Sequence, residues 1–455
     1  MFDSVLIANR GEIALRIVRA CKALSLRTIA IHSEADADLR HVALADQALC
    51  IGPAPSRQSY LDMDRMITAA RLTGAQAVHP GYGFLSENAA FATALRDAGL
   101  QFIGPSPEVM ALMGDKISAK AAMLKSGVPC VPGFDQALPD EVGELERIAD
   151  AIGYPLIIKA AAGGGGRGMR IVRTRGDLRQ AAQITREEAG RFFGKEDIYL
   201  EKFLEHPRHI EIQVLADAHG HAIWLGERDC SIQRRNQKLL EEAPAVGIDR
   251  QRIADLGQIC VRACLDIGYQ GVGTFEFLYE NGAFFFMEMN TRIQVEHPVT
   301  EMLTGVDLVA EQIKVALGQP LTLTQQCVAP SGHAIECRLN AEDPWTFAPL
   351  PGRIQAWVAP GGPGVRVDTH LYPGYEVPAH YDSLIAKLIV HGSSRQQAIA
   401  RMRVALSELM VDGLATNAAL FAALLQNGDF QAGGMEIAAL ERLLATGVLK
   451  QGGSV

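Results

Sequence analysis

Glu288, Asn290, Arg292, Gln294 and Glu296 recur at every second position. Successive side chains of an extended chain point to opposite sides, so these five share one face for as long as the chain stays extended. Residues 274–279 and 283–290 read as a β-hairpin about Glu280-Asn281-Gly282, and the run Phe284-Phe285-Phe286-Met287 marks the second strand as buried on both faces. A solvated strand face is the ordinary reason for alternating charge, but charges on a buried strand need partners or a metal. Glu276, Glu288 and the Asn290 amide oxygen make an all-oxygen donor set of the kind Mg²⁺ takes beside nucleotide phosphates. That reading makes a demand on the turn. A two-residue loop at Asn281-Gly282 pairs Glu276 with Met287 and sends the two glutamates to opposite faces, whereas a three-residue loop or a bulge unites them. Of these, the metal reading predicts the odd-numbered loop.

A second cluster lies upstream. Residues 154–159, ending in Lys159, read as a strand, followed by Gly163-Gly164-Gly165-Gly166-Arg167-Gly168 and a second strand over 169–172. Gly163, Gly165 and Gly168 formally satisfy G-x-G-x-x-G, yet a dinucleotide turn must open a helix. A Walker A loop fails as well, because the lysine precedes the glycines. Strand, glycines, strand describes a flap whose backbone N–H groups fold over phosphates, with Lys159 as a point charge at its base. An exposed hairpin loop explains an arbitrary glycine cluster about as well; flanking Lys159 and Arg167 favour phosphate.

The elements that must hold these groups begin with a βαβ unit: a strand at 4–8, a turn at Asn9-Arg10-Gly11, a helix at 12–23 and a strand at 28–32. A strand at 75–79, a Gly/Pro loop and a helix at 87–97 complete an open α/β domain, which lacks the fingerprint for NAD. Boundaries are expected near residues 115 and 330. The 455 residues suggest about three domains. Apolar residues at 48% and charged residues at 21% fit a globular, soluble chain throughout. With 43 basic against 52 acidic residues the formal charge is −9, and no basic run stands out, which argues against nucleic acid. No apolar stretch nears the roughly 18 residues that span a bilayer; no membrane partner, anchor or signal peptide is expected. Eight scattered cysteines without a C-x-x-C pair read as free thiols of a reducing cytoplasm.

Several segments together are specific. They are residues 7–14 (Ile-Ala-Asn-Arg-Gly-Glu-Ile-Ala), residues 79–88 (His-Pro-Gly-Tyr-Gly-Phe-Leu-Ser-Glu-Asn), Gly114-Asp115-Lys116, residues 163–169, residues 207–211, residues 227–231 and residues 288–297. On these the chain resembles the biotin carboxylase components of the acetyl-CoA carboxylase group, members of the ATP-grasp superfamily, over essentially its whole length. The resemblance implies an α/β and α+β multidomain protein. An N-terminal open, Rossmann-like α/β domain would span 1–114, a central ATP-grasp domain 115–330 with a mobile glycine-rich lid at about 131–203, and a mixed α/β C-terminal domain 331–447.

It also implies a ligase that uses ATP and bicarbonate to carboxylate N1′ of carrier-bound biotin through carboxyphosphate, with two Mg²⁺ or Mn²⁺ ions. This is the first half-reaction of acetyl-CoA carboxylase in fatty acid synthesis. The alternative is the same subunit of a propionyl-CoA, methylcrotonyl-CoA, pyruvate or urea carboxylase. By resemblance Lys116, Lys159, Gly165, Gly166, Glu201, Lys202, Phe203, Leu204, His209 and Asn236 hold the nucleotide, and Glu276, Glu288 and Asn290 the metals. Lys238, Arg292, Gln294 and Val295 cradle bicarbonate, Glu296 is the base, Arg338 stabilises the biotin enolate, and Tyr82 and Asp382 line the biotin pocket. Taken without the resemblance, Lys116 is a first-turn lysine behind an Asp115 cap, His209 a surface histidine, and Arg338 an ion-pair partner of Glu336. One departure stands out: the family commonly has histidine where this chain has Asn236. With no Ala-Met-Lys-Met segment and no length left for a carboxyltransferase, the chain is expected to meet a separate biotin carboxyl carrier protein and carboxyltransferase subunits, and to pair as a homodimer.

Overall fold

The computed structural model describes residues 1–134, 136–139, 141–161 and 168–451. Three sheets organise the chain around the chemistry-bearing residues. The first is parallel, with strands in the order Gln47–Cys50, Arg27–His32, Ser4–Ile7, Ala77–His79 and Gln101–Phe102. Ser4–Ile7 is apolar and wholly buried, as a central parallel strand flanked by helices must be. Two loops leave the carboxyl ends of its central strands and are laced together: Asn9 Nδ2 donates to the Pro80 and Tyr82 carbonyls at 2.7 and 2.8 Å. Gly81, at φ +64°, permits this approach, since a Cβ there would lie 2.8 Å from Asn9 Nδ2. Glu12 and Tyr82 thereby reach the cleft between the sheets, and Glu87, more exposed, meets Arg292.

The second sheet is antiparallel, in the order Gly133–Phe134, Ile198–Lys202, Leu156–Ala160, Met169–Val172. Helices Val142–Ile152 and Leu178–Phe193 cover it over a core of its own that includes Leu145, Ile158, Val172 and Ala189. The strands expected on either side of the glycine run are both present; Gly163 to Arg167, including Gly165 and Gly166, lie outside the described residues.

The third sheet has eight antiparallel strands, ordered Ala283–Asn290, Gly271–Glu280, Arg208–Ala216, Ala222–Arg234, Gln237–Ala243, His333–Asn340, Leu384–Gly392, Val365–Thr369. It runs unbroken across residue 330, because Gln237–Ala243 pairs directly with His333–Asn340.

The hairpin departs from the odd-numbered loop. Glu280 pairs with Ala283 across Asn281-Gly282, whose φ angles of +51° and +80° are those of a two-residue primed turn. Register is recovered by a bulge: Phe277 pairs with Phe286 but Glu276 with Glu288, so the extra residue is Met287. Nor is the second strand buried on both faces. Phe284 and Phe286 are buried, while Phe285, Met287 and Glu288 are half-buried, because this is an edge strand whose other side faces a cleft.

Candidate active site

A cleft of about 1340 Å³ lies where the three sheets meet. All the expected site residues that the structure describes, from Tyr82 to Asp382, line it. The strip is extended only in part: the strand ends at Asn290, and Val295-Glu296 form a turn leading into helix His297–Thr304.

One wall is carried by the eight-stranded sheet. Lys238, beside the Arg235-Asn236 turn, reaches three buried carboxylates: Glu211, Glu276 Oε1 at 2.9 Å and Glu296 Oε1 at 2.8 Å. Burial disfavours its ammonium, yet the three anions hold its pKa well above the usual lysine value. Glu276 Oε1 also accepts from Asn290 Nδ2 and Gln294 Nε2, at 2.9 and 2.8 Å. His209 stands 3.1 Å from Glu211 and 3.2 Å from Glu276; against the cost of burial these carboxylates hold the imidazolium, with a pKa raised to about 9. His209 is therefore no surface histidine. Glu276 and Glu288 are cross-strand partners, whereas Asn290 presents its Nδ2 to Glu276 and its Oδ1 to Arg292; burial together with the charge of Glu276 pushes Glu288 upward. Two carboxylates held in register, one of them short of positive charge, fit a divalent cation.

Glu296 is gripped by both oxygens. Lys238 takes Oε1, and Arg338 Nη2 donates to Oε2 at 3.1 Å. Burial opposes ionisation, but Lys238 foremost among the surrounding cations holds the carboxyl at about 2. Arg292 donates from Nε to Glu87 Oε2 at 2.8 Å and from Nη2 to Asn290 Oδ1. The Gln294 amide is fixed at both ends, accepting from Arg228 at 2.5 Å, and the Val295 carbonyl accepts from Lys387 Nζ at 2.8 Å. Tyr82 donates its hydroxyl to Glu12.

The other wall belongs to the four-stranded sheet. Glu201 receives Lys159 at 2.7 Å and Lys120 at 3.3 Å, and against the cost of burial the two ammoniums hold it below the usual carboxylate range. Lys202 turns its ammonium to the Gly153 and Tyr154 carbonyls at 2.9 and 2.8 Å, and Phe203 and Leu204 follow it along the cleft. Lys116 opens helix Lys116–Lys125, whose N-cap Asp115 accepts from the Ser118 amide, so the capping reading holds and the lysine still faces the cleft, 3.8 Å from Glu288. Asn236 sits exposed at a turn with φ +63°, a backbone conformation asparagine tolerates.

The sequence pattern left Glu211, Arg228, Glu87, Glu241 and Lys387 without a task. The signal for the first was present: His209, Glu211 and Gln213 alternate along one strand face. Arg228 is wholly buried and donates to Glu211, Gln213, Thr300 and Gln294.

Paired carboxylates on one sheet, with Lys159 and Lys202 on a second sheet across the same cleft, are the arrangement of an ATP-grasp ligase. Family models match on residues 1–110 (biotin carboxylase, N-terminal domain), 115–324 (carbamoyl-phosphate synthase L chain, ATP binding domain) and 336–442 (biotin carboxylase C-terminal domain). A biotin carboxylase of Haemophilus influenzae is 58% identical over 98% of this chain and 99% of its own length. Among solved structures, a Campylobacter jejuni biotin carboxylase in a β,γ-ATP complex superposes with TM-score 0.94 at 47% identity, covering 97% of this chain and 99% of that one. The biotin carboxylase domain dimer of Hydrogenobacter thermophilus 2-oxoglutarate carboxylase, solved with MgADP, ADP and bicarbonate, gives 0.93 at 47% identity, covering 99% of each chain. The chain belongs to the biotin carboxylase family, the ATP-dependent ligases that carboxylate biotin with bicarbonate.

Proposed function

We propose that this chain performs the first half-reaction of acetyl-CoA carboxylase, carboxylating N1′ of biotin on a separate carrier protein, as one protomer of a homodimer. The single observation that carries this reading is Glu296 suspended between Lys238 and Arg338 at the floor of the cleft.

Lys116, Lys159, His209, the segment from Glu201 to Leu204 and Asn236 hold ATP. With the Lys202 ammonium turned away, the hinge offers backbone to the base. Glu276, Glu288 and Asn290 would hold the divalent ions, which would supply charge neutralisation for the phosphates. Bicarbonate displaces Lys238 from Glu296 and is gripped by Lys238, Arg292, Gln294 and the Val295 backbone. Losing Lys238 restores basicity to Glu296, which takes the bicarbonate proton while the freed oxygen attacks the γ-phosphorus and ADP leaves. Carboxyphosphate breaks to CO₂ and phosphate, phosphate takes the N1′ proton, and the enolate nitrogen attacks CO₂. Arg338 meets the enolate oxygen as its charge develops, with Tyr82 and Asp382 beside the biotin ring.

Substituting Glu296→Gln tests the base. Biotin-stimulated, bicarbonate-dependent ADP release falls by about 10²–10⁴-fold, while ADP affinity by calorimetry stays near that of the unsubstituted chain; unchanged turnover removes Glu296 from the chemistry. Because the free carboxyl sits at about 2, the kcat/KM profile carries no Glu296 limb between pH 5 and 9.

A further inference from the structure

Behind Arg338 lies a pair of carboxyls that the chemistry above does not use. Glu241 on strand Gln237–Ala243 and Glu336 on strand His333–Asn340 are direct cross-strand partners, so their side chains leave one face of the sheet side by side. Both are fully buried. Glu241 Oε1 accepts from Arg338 Nε at 2.6 Å, and Arg338 passes its other edge to Glu296. Glu241 Oε2 and both oxygens of Glu336 have no hydrogen-bond partner among the described residues. The charged groups facing the pair are Arg338, Glu296, Lys238 and Lys387. Lys387 is already engaged, 3.1 Å from Glu12, 3.9 Å from Asp368 and 2.8 Å from the Val295 carbonyl.

Two adjacent carboxylates in a dry sheet face cannot both be ionised, and unpaired buried oxygens are costly. One proton removes both faults. We infer that Glu336 stays protonated and donates to Glu241 Oε2, completing a chain from Glu336 through Glu241 and Arg338 to Glu296 that fixes where the Arg338 guanidinium points. The inference rests on the proposed function for what Arg338 does there; Glu241 and Glu336 are positioning residues. Burial, with Glu241 as a neighbour, pushes Glu336 well above the carboxylate range, and burial lifts Glu241 to about 7 against the pull of Arg338. Lowering the pH through about 7 therefore protonates Glu241, weakens its hold on Arg338 and lowers the biotin-dependent rate from the acid side.

Four substitutions test this, each measured for biotin-dependent kcat and KM, biotin-independent bicarbonate-driven ATP hydrolysis, and pH profile. Glu241→Gln lowers biotin-dependent kcat/KM at least tenfold and abolishes the acid limb near pH 7, with the KM for ATP moved less than twofold. Glu336→Ala removes the donor and lowers the same parameter several-fold. Glu336→Gln, whose amide mimics a protonated acid, restores most of that loss and keeps the limb. Glu336→Asp retracts the carboxyl and does not restore it. An infrared carboxylic-acid band in the unsubstituted enzyme at pH 8, lost in Glu336→Gln, reports the proton without any turnover. Absence of that band, or a Glu336→Gln enzyme as impaired as Glu336→Ala, overturns the inference. If the unsubstituted chain shows no biotin-stimulated turnover but the band is present, the proposed function fails while the shared proton stands.

Discussion

The two walls of the cleft solve opposite electrostatic problems. Beside the four-stranded sheet two ammoniums, Lys159 of its strand Leu156–Ala160 and Lys120 of helix Lys116–Lys125, share the single carboxylate of Glu201, and burial with nearby Lys159 holds the Lys116 ammonium below its ordinary pKa. On the eight-stranded sheet one ammonium, Lys238, serves three carboxylates, and Glu288 is pushed up by burial and by Glu276. Each side leaves one charged group under-compensated, Lys116 on the first and Glu288 on the second. The first is relieved by a polyanion and the second by cations, which is the division of labour a metal–nucleotide complex needs. The walls touch at their least satisfied members, Lys116 and Glu288, 3.8 Å apart.

The severest way to break the contrast is to remove Lys238, whose ammonium touches all three carboxylates of the anionic wall. Lys238→Gln leaves Glu211 with Arg228 and His209, Glu276 with His209 and Glu296 with Arg338, but takes away the ammonium they share, at a cost of up to about 3–5 kcal/mol for breaking a buried pair. Biotin-stimulated ADP release is expected to fall by about 10³-fold, since the same group also orients bicarbonate. Calorimetric melting and coupled ADP assay check the two losses, and Mg²⁺ is expected to recover part of the stability but none of the turnover.

Part of that wall is legible in the sequence. Alternation places Glu288 and Asn290 on one strand face, but the strand ends at Asn290, so Arg292 and Gln294 reach the cleft from irregular chain that alternation does not describe. The register is not legible: the metal reading calls for an odd-numbered loop, whereas Asn281-Gly282 makes a two-residue turn and the residue that unites the glutamates, Met287, carries no mark of a bulge. Bulges follow from how an edge strand twists against its neighbours, here with Phe286 also bridged to the Pro129-Cys130 segment. The charge cluster escapes sequence for a related reason: Glu211, Lys238 and Glu296 come from distant segments, and only the pairing of strands shows that they share one ammonium.

Glu288→Gln sharpens the comparison from the metal side. Removing one of two in-register carboxylates takes away the group that Glu276 and burial have already strained. The Mg²⁺ concentration for half-maximal turnover is expected to rise about 10–100-fold, with the protein's melting temperature held or raised, because a like-charge contact disappears along with the ligand. A fall in stability would mean that Lys116 depends on Glu288 more than Glu276 repels it.

On the cationic wall the expected effect is smaller. Lys159→Gln leaves Glu201 with Lys120, so the ion pair is thinned and not orphaned. The loss is one charge-assisted contact to phosphate, about 1.5–3 kcal/mol. The KM for ATP is expected to rise by about tenfold or more while stability changes little, the reverse of Lys238→Gln. If both lysine variants destabilise the fold alike, the two walls are equivalent and the contrast fails.

Asn236 marks the smallest difference and the most local one. It occupies the second position of the Arg235-Asn236 turn, with φ values of +48° and +63°, where asparagine is among the side chains best suited to left-handed backbone. It is exposed where it lines the cleft, on the eight-stranded sheet, and cannot become a cation. Asn236→His trades a little turn preference for a titratable group. Stability is expected to change by under about 0.5 kcal/mol. ATP affinity by calorimetry is expected to gain about twofold at pH 6 and nothing at pH 8, because an exposed imidazole is charged only below about 6.5. A gain that persists at pH 8 would place a neutral contact, and not charge, behind the preference for histidine, and would mean that the anionic wall ends at Lys238 and stops short of the turn.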